Sequence, residues 1–135
     1  MTASRWAAVG AILGALSVVL GAFAAHGLKG RFAELASGEF QPREIFDVAV
    51  RYHAIHALAI LFASSVVARP MAAGSASAAC WAFLAGVVLF SGSLYLLGTT
   101  GVRWLGAVTP FGGLAFIAGW VLLAIAVLRS DRPAL

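Results

Sequence analysis

Residues 6–25 read WAAVGAILGALSVVLGAFAA, a run of apolar and small residues with no charged side chain. An α-helix rises about 1.5 Å per residue, so a run of this length covers about 30 Å, the thickness of the hydrocarbon core of a bilayer. Similar runs follow at about 48–68, 76–97 and 110–128. The chain is therefore predicted to cross a membrane four times.

The composition supports an integral membrane protein. Hydrophobic residues make up 62% of the 135 residues, charged residues only 10%, and the mean hydropathy is +0.99. A bilayer admits only helices and closed barrels, and these runs lack the alternation of barrel strands. We expect an all-α membrane protein, a four-helix transmembrane bundle forming one domain over residues 1–135. Its helices are predicted at about 6–26, 43–69, 76–97 and 110–129.

Two segments near the first span need separate interpretation. The connection that follows it carries Phe32, Leu35 and Phe40 among charges, which predicts a short amphipathic helix on the membrane surface. The first run itself resembles a signal peptide, with Arg5 before it and small residues around Phe23. Its apolar stretch is longer than the 7 to 15 residues usual for such peptides, so we interpret it as a span.

The formal net charge of +4 does not indicate nucleic-acid binding, because the basic residues lie at the span ends as interfacial anchors. The Lys and Arg residues divide almost evenly between the two sides of the membrane. Cytoplasmic termini are the prediction from this nearly balanced count. The terminal side carries Arg5, Arg69, Arg129 and Arg132; the other side carries Lys29, Arg31, Arg43, Arg51 and Arg103.

Small residues recur at helical spacing and predict close helix packing. These stripes would join helices either within one chain or between subunits, and the sequence leaves both open. Cys80 lies within the third span, where a lone cysteine suits a small packed hydrophobe. The glycines that we expect at helix contacts are Gly10, Gly14, Gly21, Gly86, Gly112, Gly113 and Gly119.

Polar residues near the ends of the spans form the predicted functional site. Alternating helix directions bring them all into the leaflet opposite the termini, as a pocket or hydrogen-bond network in which His26 faces His53 and His56. Asp47 and Arg51, four residues apart, are predicted to form an interfacial ion pair. The candidate pocket residues are His26, Tyr52, His53, His56, Ser91, Ser93, Tyr95 and Thr109.

Four blocks of this sequence resemble the YgdD-like family of small bacterial membrane proteins, a domain of unknown function (423) with mitochondrial relatives named transmembrane protein 256. Two departures matter: Ala24 replaces the usual glycine, and His53 stands where glutamine is common. The resemblance implies a four-span fold, a location in the inner membrane and a shared site, but no established reaction. The matching blocks are residues 20–29 (LGAFAAHGLK), 51–58 (RYHAIHAL), 90–95 (FSGSLY) and 109–120 (TPFGGLAFIAGW).

The predicted site can be compared with the requirements of several functions. The histidines suit a transition metal, but no cysteine or carboxylate completes the set within the span. His26 with His56 would be the ligands of a haem, but these must lie on opposite sides of the ring, which adjacent packed helices rarely permit, so we predict no cofactor. No nucleophile with its base and acid is recognisable, so we predict a non-enzyme. The preferred function is an accessory or assembly subunit of a larger membrane complex, contacting lipid and other subunits or self-associating. The alternative is a small transport or ligand-binding protein with a pocket around His26 and His56.

Overall fold

The computed structural model describes residues 1–130 and confirms four helices long and apolar enough to span a membrane. Within that range the chain is helical and contains no β-strand. Arg132, predicted as an interfacial anchor, lies outside the described residues. The elements are α1 (Ala3–His26), α2 (Lys29–Leu35), α3 (Pro42–Val67), α4 (Ala73–Gly86), a π-helical turn (Val87–Ser91), α5 (Gly92–Thr100), a 3₁₀ turn (Arg103–Ala107) and α6 (Thr109–Ser130).

Helix α3 lies at the centre of the bundle. It packs against α1 on one side and against α4, the π-helical turn and α5 on the other. Helix α6 packs mainly against α4 and contacts α3 only sparingly. The largest fully buried side chains include Trp6, Phe46, Ile60 and Phe83, and Cys80 is buried among them. Since α1 contributes Trp6 and Ala24 to the interior, it is an integral part of the bundle.

Glycines bring the helices into close contact within this chain. A Cβ atom added to Gly10 would lie 2.8 Å from Cγ of Leu61, and one added to Gly119 would lie 2.6 Å from the ring of Phe83. A Cβ at Gly86 would overlap the ring of Phe116. By contrast, a Cβ at Gly14 would meet nothing within 4 Å. Most of the small-residue positions are thus used for packing inside the bundle.

A π-helical turn interrupts the third span at Val87–Ser91, where the amide of Gly92 donates to the carbonyl of Val87. Residues four apart drift by about 40° per step around an α-helix. The wider π turn offsets this drift, so that Phe83, Val87 and Ser91 are all buried. No local pattern in the sequence indicated this turn.

The end of the bundle opposite the termini is closed by α2 and by the loop after it. Phe32 of α2 is buried against Phe46, with ring centroids 5.6 Å apart, which confirms a short helix in this connection. Lys29, Arg31 and Glu34 of the same helix are exposed. The segment is therefore amphipathic, with its apolar residue directed into the bundle.

The ion pair of Asp47 differs from the prediction. Nε of Arg43 donates to Oδ2 of Asp47 over 2.9 Å, and Nη1 of Arg43 also reaches the carbonyl of Ala24 at 3.5 Å. Arg43 lies four residues before Asp47 and Arg51 lies four residues after it, so the helix alone favours neither arginine as the partner. Contacts outside α3 decide which of the two pairs with Asp47. The end of α1 holds Arg43 in place, and Arg51 faces a different part of the surface.

Candidate functional site

Both ring nitrogens of His56 are hydrogen-bonded inside the bundle. Its Nδ1 lies 2.8 Å from the carbonyl of Tyr52, and the indole Nε1–H of Trp120 donates to its Nε2 over 3.2 Å. A carbonyl only accepts and an indole only donates, so Nδ1 must carry the proton and Nε2 must be bare. The ring also stacks on Phe116, with centroids 3.4 Å apart and planes 7° from parallel. These contacts fix one neutral tautomer and one orientation.

These residues form the inner wall of a cleft between α3 and α6 that opens sideways to the surrounding lipid. Its volume is about 490 Å³, within the range of small-ligand sites. Trp120 is 47% exposed and Ile117 is 62% exposed, so the cleft is not closed off by another helix. Its lining comprises Arg51, Tyr52, Ile55, His56, Phe90, Gly113, Phe116, Ile117 and Trp120.

The cleft runs from the membrane interface to the middle of the bilayer. At about 1.5 Å per residue, α3 is about 39 Å long and exceeds the hydrocarbon thickness, so its first turns protrude. Arg51 lies one and a half turns, about 7.5 Å, nearer to that end than His56, and its long side chain extends from there toward the headgroups. His56 lies close to the centre of α3, and Trp120 close to the centre of α6. The hydrogen-bonded pair of His56 and Trp120 therefore lies near the bilayer centre.

His53 has a different environment, although it lies only three residues before His56. Its Nδ1 is 3.1 Å from the hydroxyl of Tyr95, on α5, and its ring is 4% exposed. Its Nε2 is buried and has no hydrogen-bond partner within residues 1–130, and the same holds for Oγ of Ser91. Tyr95 in turn packs against Phe46, with ring centroids 4.7 Å apart. This interface is closed to lipid.

The remaining predicted pocket residues lie apart from the cleft. Oγ of Ser93 is 2.9 Å from Oγ1 of Thr109 and also donates to the carbonyl of Phe90, which links the third span to the start of α6. His26 is exposed at the end of α1 and does not face the other histidines. Ala24 is the buried residue of that turn, and His26 follows it by about 200° around the helix. The prediction that His26 faces the pair is therefore wrong.

The positions and hydrogen bonds of the histidine nitrogens test whether a metal ion or a haem fits this site. Across residues 1–130, no three side chains of His, Cys, Asp or Glu lie close enough to share one metal ion. Both nitrogens of His56 are already bonded, to Tyr52 and Trp120. His26 and His56 do not form a facing pair. The arrangement is instead suited to holding an uncharged imidazole against an aromatic wall.

A family described as "Protein of unknown function (DUF423)" matches residues 20–113, from the last turns of α1 to the start of α6. The chain belongs to this family. The match contains His53, His56, Ser91 and Arg51, whereas Trp120 lies beyond it. Membership therefore agrees with the resemblance inferred from the four sequence blocks.

Relatives in the family are named only as membrane proteins. The chain is 40% identical over 121 residues to the UPF0382 membrane protein YwdK of Bacillus subtilis, covering 90% of this chain and 94% of that protein. It is 37% identical over 122 residues to the UPF0382 inner membrane protein YgdD of Escherichia coli K12, covering 90% and 88%. No solved structure matches the chain. This DUF423 protein is thus an integral membrane protein of unknown activity.

Sequence reasoning missed the aromatic partners of the site. Phe90, Phe116 and Trp120 are not among the predicted pocket residues, yet all three line the cleft around His56. One signal was present: the match to the family block at 109–120 ends on Gly119-Trp120. A tryptophan near mid-membrane lacks the interfacial water that its N–H usually contacts, so it needs a partner inside the bundle.

Proposed function

We propose that this protein binds an anionic phospholipid of the surrounding bilayer in the cleft between α3 and α6. The lipid phosphate contacts Arg51, and an acyl chain lies along the aromatic wall toward Trp120. The observation that carries the proposal is that Arg51, a cation without a carboxylate partner within residues 1–130, lines the same lipid-facing cleft as His56 and Trp120.

Arg51 supplies the charge complementarity. The two ion pairs between side chains of residues 1–130 are Arg31 with Glu34 and Arg43 with Asp47, so Arg51 lacks a carboxylate within that range. A guanidinium at headgroup level extends toward phosphate groups and binds them through two parallel N–H donors. An anionic headgroup therefore offers Arg51 the counter-charge that the bundle does not provide.

The walls below Arg51 suit a hydrocarbon chain. Tyr52 packs against Phe90 with ring centroids 4.6 Å apart and planes inclined by 35°, and Ile55 and Ile117 are exposed on the two facing helices. Trp120 also borders a second, apolar cleft of about 400 Å³ beside Phe62 and Leu123, on the side of the termini. Both clefts border Trp120, so an acyl chain anchored at Arg51 meets apolar surface on either side of this residue.

Native mass spectrometry of the protein extracted from bilayers of mixed phosphatidylglycerol and phosphatidylcholine tests the proposal. We expect bound phosphatidylglycerol on the wild type and at least a tenfold loss of it in Arg51→Gln, the effect of losing about 1.4 kcal/mol of a charge-assisted contact. Arg103→Gln is the matched control. Arg103 lies at the same end of the bundle but packs over the ring of Phe40, outside the cleft.

Equal retention of phosphatidylglycerol by wild type and Arg51→Gln would refute the lipid site. Displacement of the lipid by soluble glycerol phosphate would show that the headgroup alone is recognised, also against the proposal. A stable hetero-complex without bound lipid would support the accessory-subunit hypothesis. That hypothesis stays a prediction, and most of the glycines that suggested it pack within the chain.

The proposal assigns a non-catalytic role in the inner membrane. In residues 1–130 the hydrogen bonds of His53 and His56 go to tyrosine, tryptophan and a backbone carbonyl, none of which is a carboxylate or a nucleophile poised for attack. With cytoplasmic termini, the orientation that we propose, Arg51 contacts lipids of the outer leaflet. Labelling of a cysteine placed in the loop at Gly38 from the periplasmic side tests that orientation.

A further inference from the structure

Two buried polar atoms at the interface of α3 with the third span have no hydrogen-bond partner among residues 1–130. They are Nε2 of His53 and Oγ of Ser91. His53 is 4% exposed and Ser91 is fully buried, so neither atom is in contact with lipid headgroups or bulk water. An unpaired polar group in a buried site costs about 1 to 3 kcal/mol, which makes two of them in one interface a feature to be explained.

The packing of the helices places the two atoms in the same stretch of the interface. Tyr95, one turn after Ser91, bonds His53, while Phe83, two turns before Ser91, packs against His56. Ser91 thus lies between the two residues of the third span that contact the histidines. Because Val87 and Ser91 are both buried, the π-helical turn directs this face toward the interior of the bundle.

The π-helical turn is a second, independent feature of the same place. A π turn shifts the pattern of backbone hydrogen bonds and is often found at functional sites. Here its last residue is Ser91, and its wider ring carries the side-chain hydroxyl into the interface with α3. The turn therefore places Ser91 on the part of the third span that packs against α3, one turn before the residue that bonds His53.

We propose that one ordered water molecule binds between α3 and the π-helical turn, bridging Nε2 of His53 and Oγ of Ser91. The hydroxyl of Tyr95 either donates to Nδ1 of His53 or accepts from it, so Nε2 is an N–H donor in one tautomer and an acceptor in the other. Water serves either tautomer because it both donates and accepts. A metal ion or an anion would serve only one.

The bridging water extends the hydrogen-bonded chain of this interface. It links Ser91 to His53, and His53 links to Tyr95. Buried waters usually satisfy two to four polar groups that would otherwise be unpaired and are costly to remove. The water therefore adds a polar link between α3 and the third span, away from the residues that line the cleft. It does not depend on the lipid site at Arg51.

A double-mutant cycle on thermal stability in detergent tests the bridge. If the water is bound, Ser91→Ala removes one of its partners and lowers the melting temperature by about 4 °C. In a His53→Leu background the same change should have little further effect, because the water has already lost its other partner. Ser64→Ala is the matched control: this buried serine of α3 donates only to the carbonyl of Leu61, and its effect should be additive with His53→Leu.

A second measurement needs no histidine variant. The ¹⁵N resonance of Nε2 of His53 should shift on Ser91→Ala and stay unchanged on Ser64→Ala. A neutral or raised melting temperature for Ser91→Ala would overturn the proposal, because deleting an unpaired hydroxyl costs nothing. Additive effects of Ser91→Ala and His53→Leu, or an unmoved ¹⁵N resonance, would overturn it as well.

Discussion

The two faces of α6 differ sharply in how closely they pack. Gly112 and Gly119 press one face against the π-helical turn and α4, while Gly113 and Trp120, their immediate neighbours in the chain, border the open cleft toward α3. Successive residues lie about 100° apart around a helix, so a single step moves from one face to the other. Glycines on one side allow α6 to pack closely on α4, and its other side contacts α3 only sparingly, mainly through Phe116 and Trp120 against His56. The cleft follows from that asymmetry.

The largest effect is expected from a side chain added to the closely packed face of α6. We expect Gly112→Ala to destabilise the protein by about 3 kcal/mol, because the new Cβ would lie 2.7 Å from Cα of Phe90, a backbone atom that has no rotamer by which to move away. Gly113→Ala is the matched control, since its Cβ would be 3.9 Å from the Phe90 ring. Thermal unfolding in detergent would measure both. Equal stability of the two variants would contradict the assigned faces of α6.

On the open face, the expected loss is smaller and centres on His56. His56→Ala should lower the free energy of unfolding by about 2 kcal/mol, because it leaves the indole N–H of Trp120 unpaired and removes the ring stacked on Phe116. The emission of Trp120 should also change. His26→Ala, at an exposed position, should leave stability unchanged. The same loss from both variants would argue against a specific role for the His56 contacts.

The sequence predicted features that depend on composition and length, and it missed those that depend on the angle between helices. Four apolar runs were enough to place the spans. Whether a histidine faces inward depends on helical phase relative to neighbours, which is why His56 proved buried and His26 exposed. The bond from Trp120 to His56 joins residues 64 apart in the chain. No local pattern encodes such a pair or the π-helical turn at Ser91.

The smallest expected effect is a difference in stability between variants of the two arginines of α3. Arg43 contacts the end of α1, whereas Arg51 lies at the mouth of the cleft. Arg43→Gln should cost about 0.4 kcal/mol, since it breaks an exposed pair with Asp47 that solvent and salt already weaken. Arg51→Gln should leave stability in lipid-free detergent unchanged, because residues 1–130 offer Arg51 no carboxylate partner.

Added phosphatidylglycerol should sharpen this difference. A ligand that binds only the folded state raises its stability, so the lipid should stabilise the wild type and Arg43→Gln but not Arg51→Gln. Melting curves with and without the lipid measure both effects, and high salt should abolish the small cost of Arg43→Gln. If Arg51→Gln were the less stable variant in lipid-free detergent, Asp47 would be paired with Arg51 in solution. The cation at the mouth of the cleft would then have a partner in the protein and no need of one from the bilayer.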